Sequence, residues 1–582
     1  MKRTYAVSRL RAGLGPVLAT VVGLGVLLAG CAPGAPGARG EQQASGPSPA
    51  AKVLRVGISA DAEPTDGGIY GARSAGGYEP IYMLHAGLTV YDTEGALQLQ
   101  PRIAVRVPTI ENGDWQVLAD GRMELTWKLR PDVRWHDGTP LAAEDLVLGY
   151  RVALEDPFGR GTRVLRQVED VSAPDPQTVI IRWKSVYIYA NAMGLDTGFL
   201  PLPRQRFAAL WDSGDRQAFA ASPYLTDEWI GLGPYRLREW LRASYIDMVA
   251  SDDYFLGKPK IDRVIIRYFG DTNSLVVTFM AGDLDLLPVG AMKEGEAHVL
   301  KTQWADGGAG SVIVSEAKLR QGMWQLRDPD APWARDVRVR QALVHLIDRQ
   351  TIAETVQYGL SSVDDIALPR GDPGYRLAQQ RGLPRLSYDV NQAHRLLGEA
   401  GLTRSGDGSY RSQACAPFVI ELSATGDINT NVQELLAISN VWKTAGLEPQ
   451  NVIIPGTANK DEVRTRLQGV NLTSSDLSYR SFDSYLTSEI SSEATRWRGQ
   501  NIAGYGNPAY DQLVARLNST INSTERDGIA ADLVKLSLDQ VLYIQLTYSS
   551  DVSAVRKEVR GVTGVQRPQP VTAWNIHLWV MG

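Results

Sequence analysis

Between residues 336 and 454 the sequence switches repeatedly between two hydrophobic periods, and that alternation restricts the fold more than any other feature. In DVRVRQALVHLIDR, Val339, Ala342, Leu343, Leu346 and Ile347 fall at i, i+3, i+4, i+7 and i+8. That spacing puts them on one face of a helix, with Asp336 placed to cap its N-terminus. In DVNQAHRLLGEAGL, Ala393, Leu396, Leu397 and Ala400 repeat the pattern, Asp389 caps and Gly401 stops the helix. Leu435, Ile438 and Trp442 mark a third helix ending at Gly446. Strand-like runs lie between these helices, at residues 418–422 and 452–454, and KVLRVGIS near residue 52 suits a buried first strand. Strands alternating with one-faced helices are the grammar of a layered α/β protein. None of these helices carries an inward polar cluster of the kind a bundle metal site needs.

A chain of 582 residues exceeds what one core organises. Single cores stop growing near ~250–300 residues, so at least two compact units are expected. Hydrophobic residues at 44% and charged residues at 21% are ordinary for a soluble globular body. The net charge is -5 and no Lys/Arg run is interleaved with aromatics, so a nucleic-acid partner has no electrostatic support.

The N-terminus reads as targeting rather than fold. Lys2, Arg3, Arg9 and Arg11 form a positive head, and residues 12–30 are uncharged and apolar. Leu28-Ala29-Gly30-Cys31 then resembles the bacterial lipobox, in which the Cys thiol takes a diacylglyceryl group. About 20 apolar residues also suffice for a transmembrane anchor. Pro16 and several glycines weaken that alternative, and the placement of Cys31 favours the lipobox. Residues 1–30 are thus a lipoprotein signal peptide. Two or more acyl chains on Cys31 make a durable tether. Residues 31–51, rich in Pro, Gly, Ala and Ser, form a flexible lipid-anchored linker. Cys415 then has no partner in the chain; a buried, inert thiol is expected, and no disulfide.

RWHDGTPLAAEDL, from Arg134, gathers a His, two acids, Gly and Pro, and so invites a catalytic or metal reading. Its polar residues all have structural uses. ELTWKLRPDVRWHDG alternates at Leu125, Trp127 and Leu129, then turns at Pro131-Asp132 and again at Asp137-Gly138, as hairpins do. A helix follows, with Leu146, Val147 and Tyr150 on one face and Glu144 and Asp145 near its positive end. His136 has no second His at ligand spacing, so the stretch is expected to be structural.

LRPDVRWHDGTPLAAEDLVLGYRVALEDP also resembles the signature region of the family 5 extracytoplasmic solute-binding proteins, the receptors of peptide, nickel and related ABC importers. GLGPYRLREW, MAGDLDLLP, DVRVRQALVHLIDRQTI, YDVNQAHRLLGEAGL and GYGNPAYDQL continue the likeness in the family's order. The resemblance implies a two-lobed α/β fold, periplasmic-binding-protein-like, with a hinge. The resemblance also implies the large variant, with an extra subdomain in lobe I. Lobe I would take residues 52–314, including the extra subdomain at 101–229, lobe II residues 315–542, and residues 543–582 would return to lobe I. It further implies a monomer outside the cell membrane, held there by lipidated Cys31. This monomer would capture oligopeptides or a similar small solute and hand them to ABC permease subunits, with no cofactor. A metal chelate or an oligosaccharide as ligand, or a sensing role, stays open.

Peptide-binding members of the family pair the ligand amine with an acidic residue in lobe II. The matching stretch here is DLSYRSFDSYL, which sets Arg480 at that position and Asp483 near a second acid, flanked by Tyr479 and Tyr485. Either Arg480 or Asp483 is expected to meet the ligand, an Arg being suited to carboxylates and phosphates. Glu63 and Tyr70 in the loop after the first strand, Trp324 and Arg327 after the first crossing strand, and Trp497 are further candidates.

Catalysis has little support. Ser315 and Lys318 spell Ser-x-x-Lys without the companion motifs. There is no His-Glu-x-x-His and no phosphate-binding Gly loop. The six His, at 85, 136, 298, 345, 394 and 577, show no metal spacing.

Overall fold

The computed structural model describes residues 51–59, 77–93, 98–155, 163–197, 199–412, 415–426, 428–458, 460–567, 569 and 571–582. The signal segment, the lipobox with Cys31, the linker up to residue 50, and the loop residues Glu63 and Tyr70 lie outside the described residues.

A ten-stranded sheet runs through the body. Its first half is built on Val53–Ser59, where Leu54, Val56 and Ile58 are fully buried. This strand pairs in parallel with Arg263–Phe269. Gly57 packs closely here: a Cβ would lie 2.5 Å from Leu275 Cδ1, so the leucine side chains around it would have to shift. Tyr245–Ala250 and Tyr235–Leu241 extend that edge as antiparallel strands. The second half consists of Gly469–Asp476, Val419–Thr425 and Glu448–Ile454, paired in parallel through Val419–Thr425.

Two long strands join the halves. The outgoing strand Gly310–Trp324 and the return strand Tyr543–Arg556 are antiparallel from Gly310 opposite Arg556 to Met323 opposite Tyr543. They change partners along their length. Val555 and Ala554 pair with Leu286 and Leu287 of the first half. From Lys318 onward the outgoing strand pairs with Gly469–Asp476 of the second half. The register between the long strands slips locally at Leu319 opposite Tyr548, where the sheet passes from one half to the other.

The buried apolar residues follow the same division. One cluster holds Leu54, Ile246, Trp229 and the C-terminal Trp579. Another holds Trp324, Leu343, Leu397, Ile420 and Trp442. A third, with Trp127, Trp135 and Trp183, fills the space around a separate four-stranded sheet. Among the described residues no helix is long and apolar enough to cross a membrane.

The three helices form where the pattern put them. Asp336 accepts from the Arg338 amide at the head of Val337–His345, and Asp389 accepts from the Gln392 amide at the head of Val390–Glu399. Asn429–Thr444 ends before Gly446, whose φ of 99° is left-handed. In the buried network below the register slip, Arg320 Nε donates to Glu434 Oε1 at 3.0 Å, and Gln357 Nε2 donates to the same oxygen at 3.1 Å. Gln357 also reaches Thr547 of the return strand. This network ties helix Asn429–Thr444 to both crossing strands.

Two expectations are corrected. Met123–Lys128 is a strand, but its partners are Trp115–Val117 and Thr178–Trp183 rather than residues beyond the Pro131-Asp132 turn. Only the Asp137-Gly138 turn closes on itself, through an Arg134–Pro140 bridge. Longer-range pairing offered the strand two full partners and prevailed over the local turn. Cys415 is exposed, not buried. It occupies a surface turn with φ 59°, its amide donating to the Ser412 carbonyl. A turn must keep its backbone near water, and one small thiol gains too little by burial to reverse that.

Candidate functional site

The WHDG stretch is a joint. His136 Nδ1 accepts from the Gly231 amide at 3.0 Å, so Nε2 carries the proton and donates to the Gly233 carbonyl, also at 3.0 Å. His85 does the same one layer deeper: Nδ1 accepts from the Leu232 amide and Nε2 donates to the Pro201 carbonyl, both at 3.2 Å. Burial lowers both imidazoles, His136 to about 4 and His85 to about 3, and so holds them neutral. Asp145 accepts from the Ala142 and Arg204 amides and from Trp135 Nε1. His136, Asp145 and Trp135 are thus engaged in holding strand, turn and helix together. Among the described residues no three His, Cys, Asp or Glu side chains gather as metal ligands.

The chemistry-bearing space lies instead beside the register slip. A cavity of about 610 Å³ opens there. Ser315 and Glu316 of the outgoing strand form one part of its wall, and Pro369, Arg370 and Gly371, just ahead of helix Pro373–Gln379, form another. Leu477, directly after Gly469–Asp476, adds an apolar patch. Thr93, directly after strand Thr89–Asp92, and residues 563–567 of the C-terminal return complete the wall. Residues distant in sequence thus meet where the crossing strands leave one half for the other.

Three ion pairs involve the charged residues of the lining. Arg370 Nη1 lies 3.1 Å from Glu316 Oε1, and its Nε lies 3.3 Å from Asp364 Oδ2. Ser362 Oγ also donates to Glu316. Burial raises the Glu316 carboxyl above the ordinary range against the pull of Arg370. Burial works against the Arg370 charge, but Glu316 and Asp364 together hold its pKa up. On the C-terminal side Arg567 Nη2 lies 3.0 Å from Asp551 Oδ2. Burial raises Asp551, against the opposing effect of Arg567 and Lys318.

The residues singled out from sequence are arranged differently. Arg480 is exposed and reaches across to the segment after Thr178–Trp183. Asp483 accepts from Asn518 Nδ2 at 2.9 Å. Tyr479 is buried, its hydroxyl 2.6 Å from Asp372 and 2.7 Å from Asp527. Tyr485 is buried and stacks on Tyr543. Trp324 ends the outgoing strand inside the second-half core. Arg327 Nη2 donates to the Ser491 carbonyl at 2.7 Å and Nη1 to Gln325 and the Ile502 carbonyl, which binds two loops together. Trp497 is half-buried beneath the Arg466 guanidinium. None of these is in the cavity wall.

Sequence reading missed Glu316, Arg370, Asp551 and Arg567. A signal existed for two of them. Glu316 and Asp551 are carboxylates in the interior of long strands rich in apolar residues, where an unpaired charge is costly. Arg370 and Arg567 sit in Pro- and Gly-containing loops that carry no sign of where they converge.

Comparison with known proteins agrees with this architecture. Residues 107–491 match the model of bacterial extracellular solute-binding proteins, family 5. The oligopeptide-binding protein AppA of Bacillus subtilis is 22% identical over 452 residues, covering 76% of this chain and 78% of its own. The nickel-binding periplasmic protein of Escherichia coli is 23% identical over 457 residues, covering 77% and 82%. In structure, Bacillus subtilis AppA in complex with a nonapeptide superimposes with a TM-score of 0.63 at 21% identity, covering 91% of this chain and 99% of that one. NikA of Brucella suis in complex with Fe(III)-EDTA superimposes with a TM-score of 0.71 at 19% identity, covering 91% and 100%. The fold shared with these proteins is the two-lobed one, and the chain belongs to family 5 of the bacterial extracellular solute-binding proteins.

Proposed function

We propose that this protein is the receptor lipoprotein of an ABC importer and that it captures short peptides in the cavity beside the crossing strands. The observation that carries this reading is the lining. It is built from strands and loops of both sheet halves and carries Glu316, Arg370 and Arg567, charges suited to a charged backbone-bearing solute. Lobe I is residues 52–314 with the return 543–582, lobe II is 315–542, and 101–229 is the extra subdomain. Hinge bending at the register slip closes the lobes on the solute. Closure lowers the dielectric around each ligand contact and composes a surface that a permease can read. Ligand and closure are linked through differential affinity for the closed state. Arg480 works at the rim of the cleft, with Asp483 behind it. Cys31 carries lipid and moors the monomer on the outer face of the cell membrane, with residues 31–51 as leash.

Native mass spectrometry of gently purified protein tests the reading. A ladder of peptide masses is expected. A single sugar or metal-chelate mass would overturn it.

A further inference from the structure

One hydroxyl stands between two carboxylates behind the cavity wall. Tyr479 Oη lies 2.6 Å from Asp372 Oδ1 and 2.7 Å from Asp527 Oδ1. Both are hydrogen-bond distances, yet a phenol has a single proton to donate. Asp372 Oδ1 also accepts from the Gly374 amide at 2.7 Å. The two tyrosine contacts therefore hold together only if one carboxyl keeps its own proton and donates it to the phenol oxygen. With both carboxylates ionised, one contact would set oxygen against oxygen with no hydrogen between. Two like charges would also face each other across a site where Tyr479 and Asp527 are buried. The extra proton belongs to the cluster as a whole, since groups this close titrate together.

The charges around the cluster do not replace that proton. Arg526, beside Asp527 on helix Ser523–Asp539, is the least of the influences on Asp372, and its Nη1 donates to the Ile521 carbonyl at 3.3 Å. Arg370, two residues before Asp372, is taken by Glu316 and Asp364. Arg381, just beyond helix Pro373–Gln379, is taken by Asp532 at 2.9 Å. On that helix Arg376 is exposed and Tyr375 gives its hydroxyl to Asp364. On the helical turn Tyr479–Tyr485, Asp483 accepts from Asn518 and Arg480 reaches Tyr187. Burial raises the Asp372 carboxyl above its ordinary value of 3.8. Burial and the flanking carboxylates raise the Tyr479 hydroxyl far above its own, so the phenol keeps its proton.

The position of the cluster gives the shared proton mechanical reach. Asp372 directly follows the wall residues Pro369, Arg370 and Gly371, and Tyr479 stands two residues after the wall residue Leu477. Tyr479 is also the sequence neighbour of Arg480, whose Nη2 donates to the Tyr187 hydroxyl at 2.7 Å. Fixing Tyr479 fixes the first residue of the turn that carries Arg480.

We propose that Asp372, Tyr479 and Asp527 form a proton-held latch: the proton they share seats the turn Tyr479–Tyr485, and the seated turn carries Arg480 to Tyr187. A proton bound more tightly in the seated form than in the released form stabilises the seated form in acid. That stabilisation is lost as pH rises past the seated value. The latch acts on the unliganded chain, so it goes beyond the peptide reading and is tested apart from it.

The test follows the mature, solute-free protein with one fluorescent label on each side of the Arg480–Tyr187 contact. Arg480→Ala, which lacks the contact, supplies the released distance. In wild type the ratio of clasped to released molecules is expected to fall about tenfold between about pH 4.5 and 8.5, the effect of one unit of difference in proton affinity. Asp527→Asn places an amide N–H where an acid proton can stand and removes one charge, and its ratio is expected to stay within about twofold over that range. Asp372→Asn removes the other charge and is expected to flatten the profile likewise, which keeps the test open should one variant fold poorly. A wild-type ratio that is flat or rises with pH, or a slope that persists in either Asn variant, would overturn the latch. None of these outcomes bears on peptide capture, which the mass ladder decides separately.

Discussion

Arg480 Nη2 donates a hydrogen bond to the Tyr187 hydroxyl at 2.7 Å, and the same guanidinium lies 4.4 Å from the centroid of the Tyr189 ring. Tyr187 is itself stacked on Trp183, in the core of the four-stranded sheet. A side chain from the stretch after Gly469–Asp476 is therefore clasped to an element from a distant part of the sequence. A hydrogen bond and a cation–π contact of this kind contribute about 1–2 kcal/mol together. Arg480→Ala is expected to shift the unliganded protein toward open forms by about tenfold in population. Interlobe distances from paired fluorescent labels check this; identical distributions in the two proteins would remove Arg480 as a clasp.

His136 is a joint and not a ligand group, so its loss should act on stability alone. His136→Ala leaves the Gly231 amide and the Gly233 carbonyl without partners. The cost is about 1–3 kcal/mol. Chemical denaturation is expected to show that loss while solute affinity, by calorimetry, stays within about twofold of wild type.

The buried pair Arg320–Glu434 should behave asymmetrically. Glu434→Ala strands a guanidinium that is only 6% exposed and is expected to cost about 3–5 kcal/mol. Replacing both partners by apolar residues, Arg320→Met with Glu434→Leu, is expected to restore much of it. Urea midpoints of the three proteins decide the matter.

Acid should destabilise the body from pH 6.5 downward. Burial lowers His85 to about 3 and His136 and His577 to about 4, below the ordinary imidazole value of 6.5. Between those values the unfolded chain binds more protons, so stability falls as pH falls. Glu79 acts in the opposite sense. Burial raises its carboxyl to about 7, so its contribution declines as pH rises from about 4.5 to 7. The carboxyls of Asp145, Glu316, Asp372 and Asp551, also raised by burial, act in the same sense as Glu79 toward the acid end, so the three imidazoles dominate at the upper end and the melting temperature is expected to drop between pH 6.5 and 5. A flat profile would contradict the buried neutral imidazoles.

Cys31→Ser should release the protein from the membrane. Cell fractionation is expected to move it from the membrane pellet to the soluble extracytoplasmic fraction, since no acyl chain remains to bind lipid. Continued membrane retention would point to an uncleaved anchor.

Local structure was legible in the sequence wherever one short-range preference acted alone. The helices at Asp336, Asp389 and Gly446 needed only an apolar face, a capping carboxylate and a left-handed stop. The structural reading of His136 followed from the turn around it, and the family from the order of its motifs. The cavity was not legible. Glu316, Arg370 and Arg567 stand in three unrelated segments, and nothing local in any of them encodes the other two. Arg480 was noticed in sequence, but its partner Tyr187 is 293 residues away, and no spacing rule reaches that far. Periodicity and capping are set by neighbours within a turn or two of the chain. The site is set by which strands exchange partners in the sheet, and that is decided only when the two long crossing strands pair and bring both halves of the chain to one place.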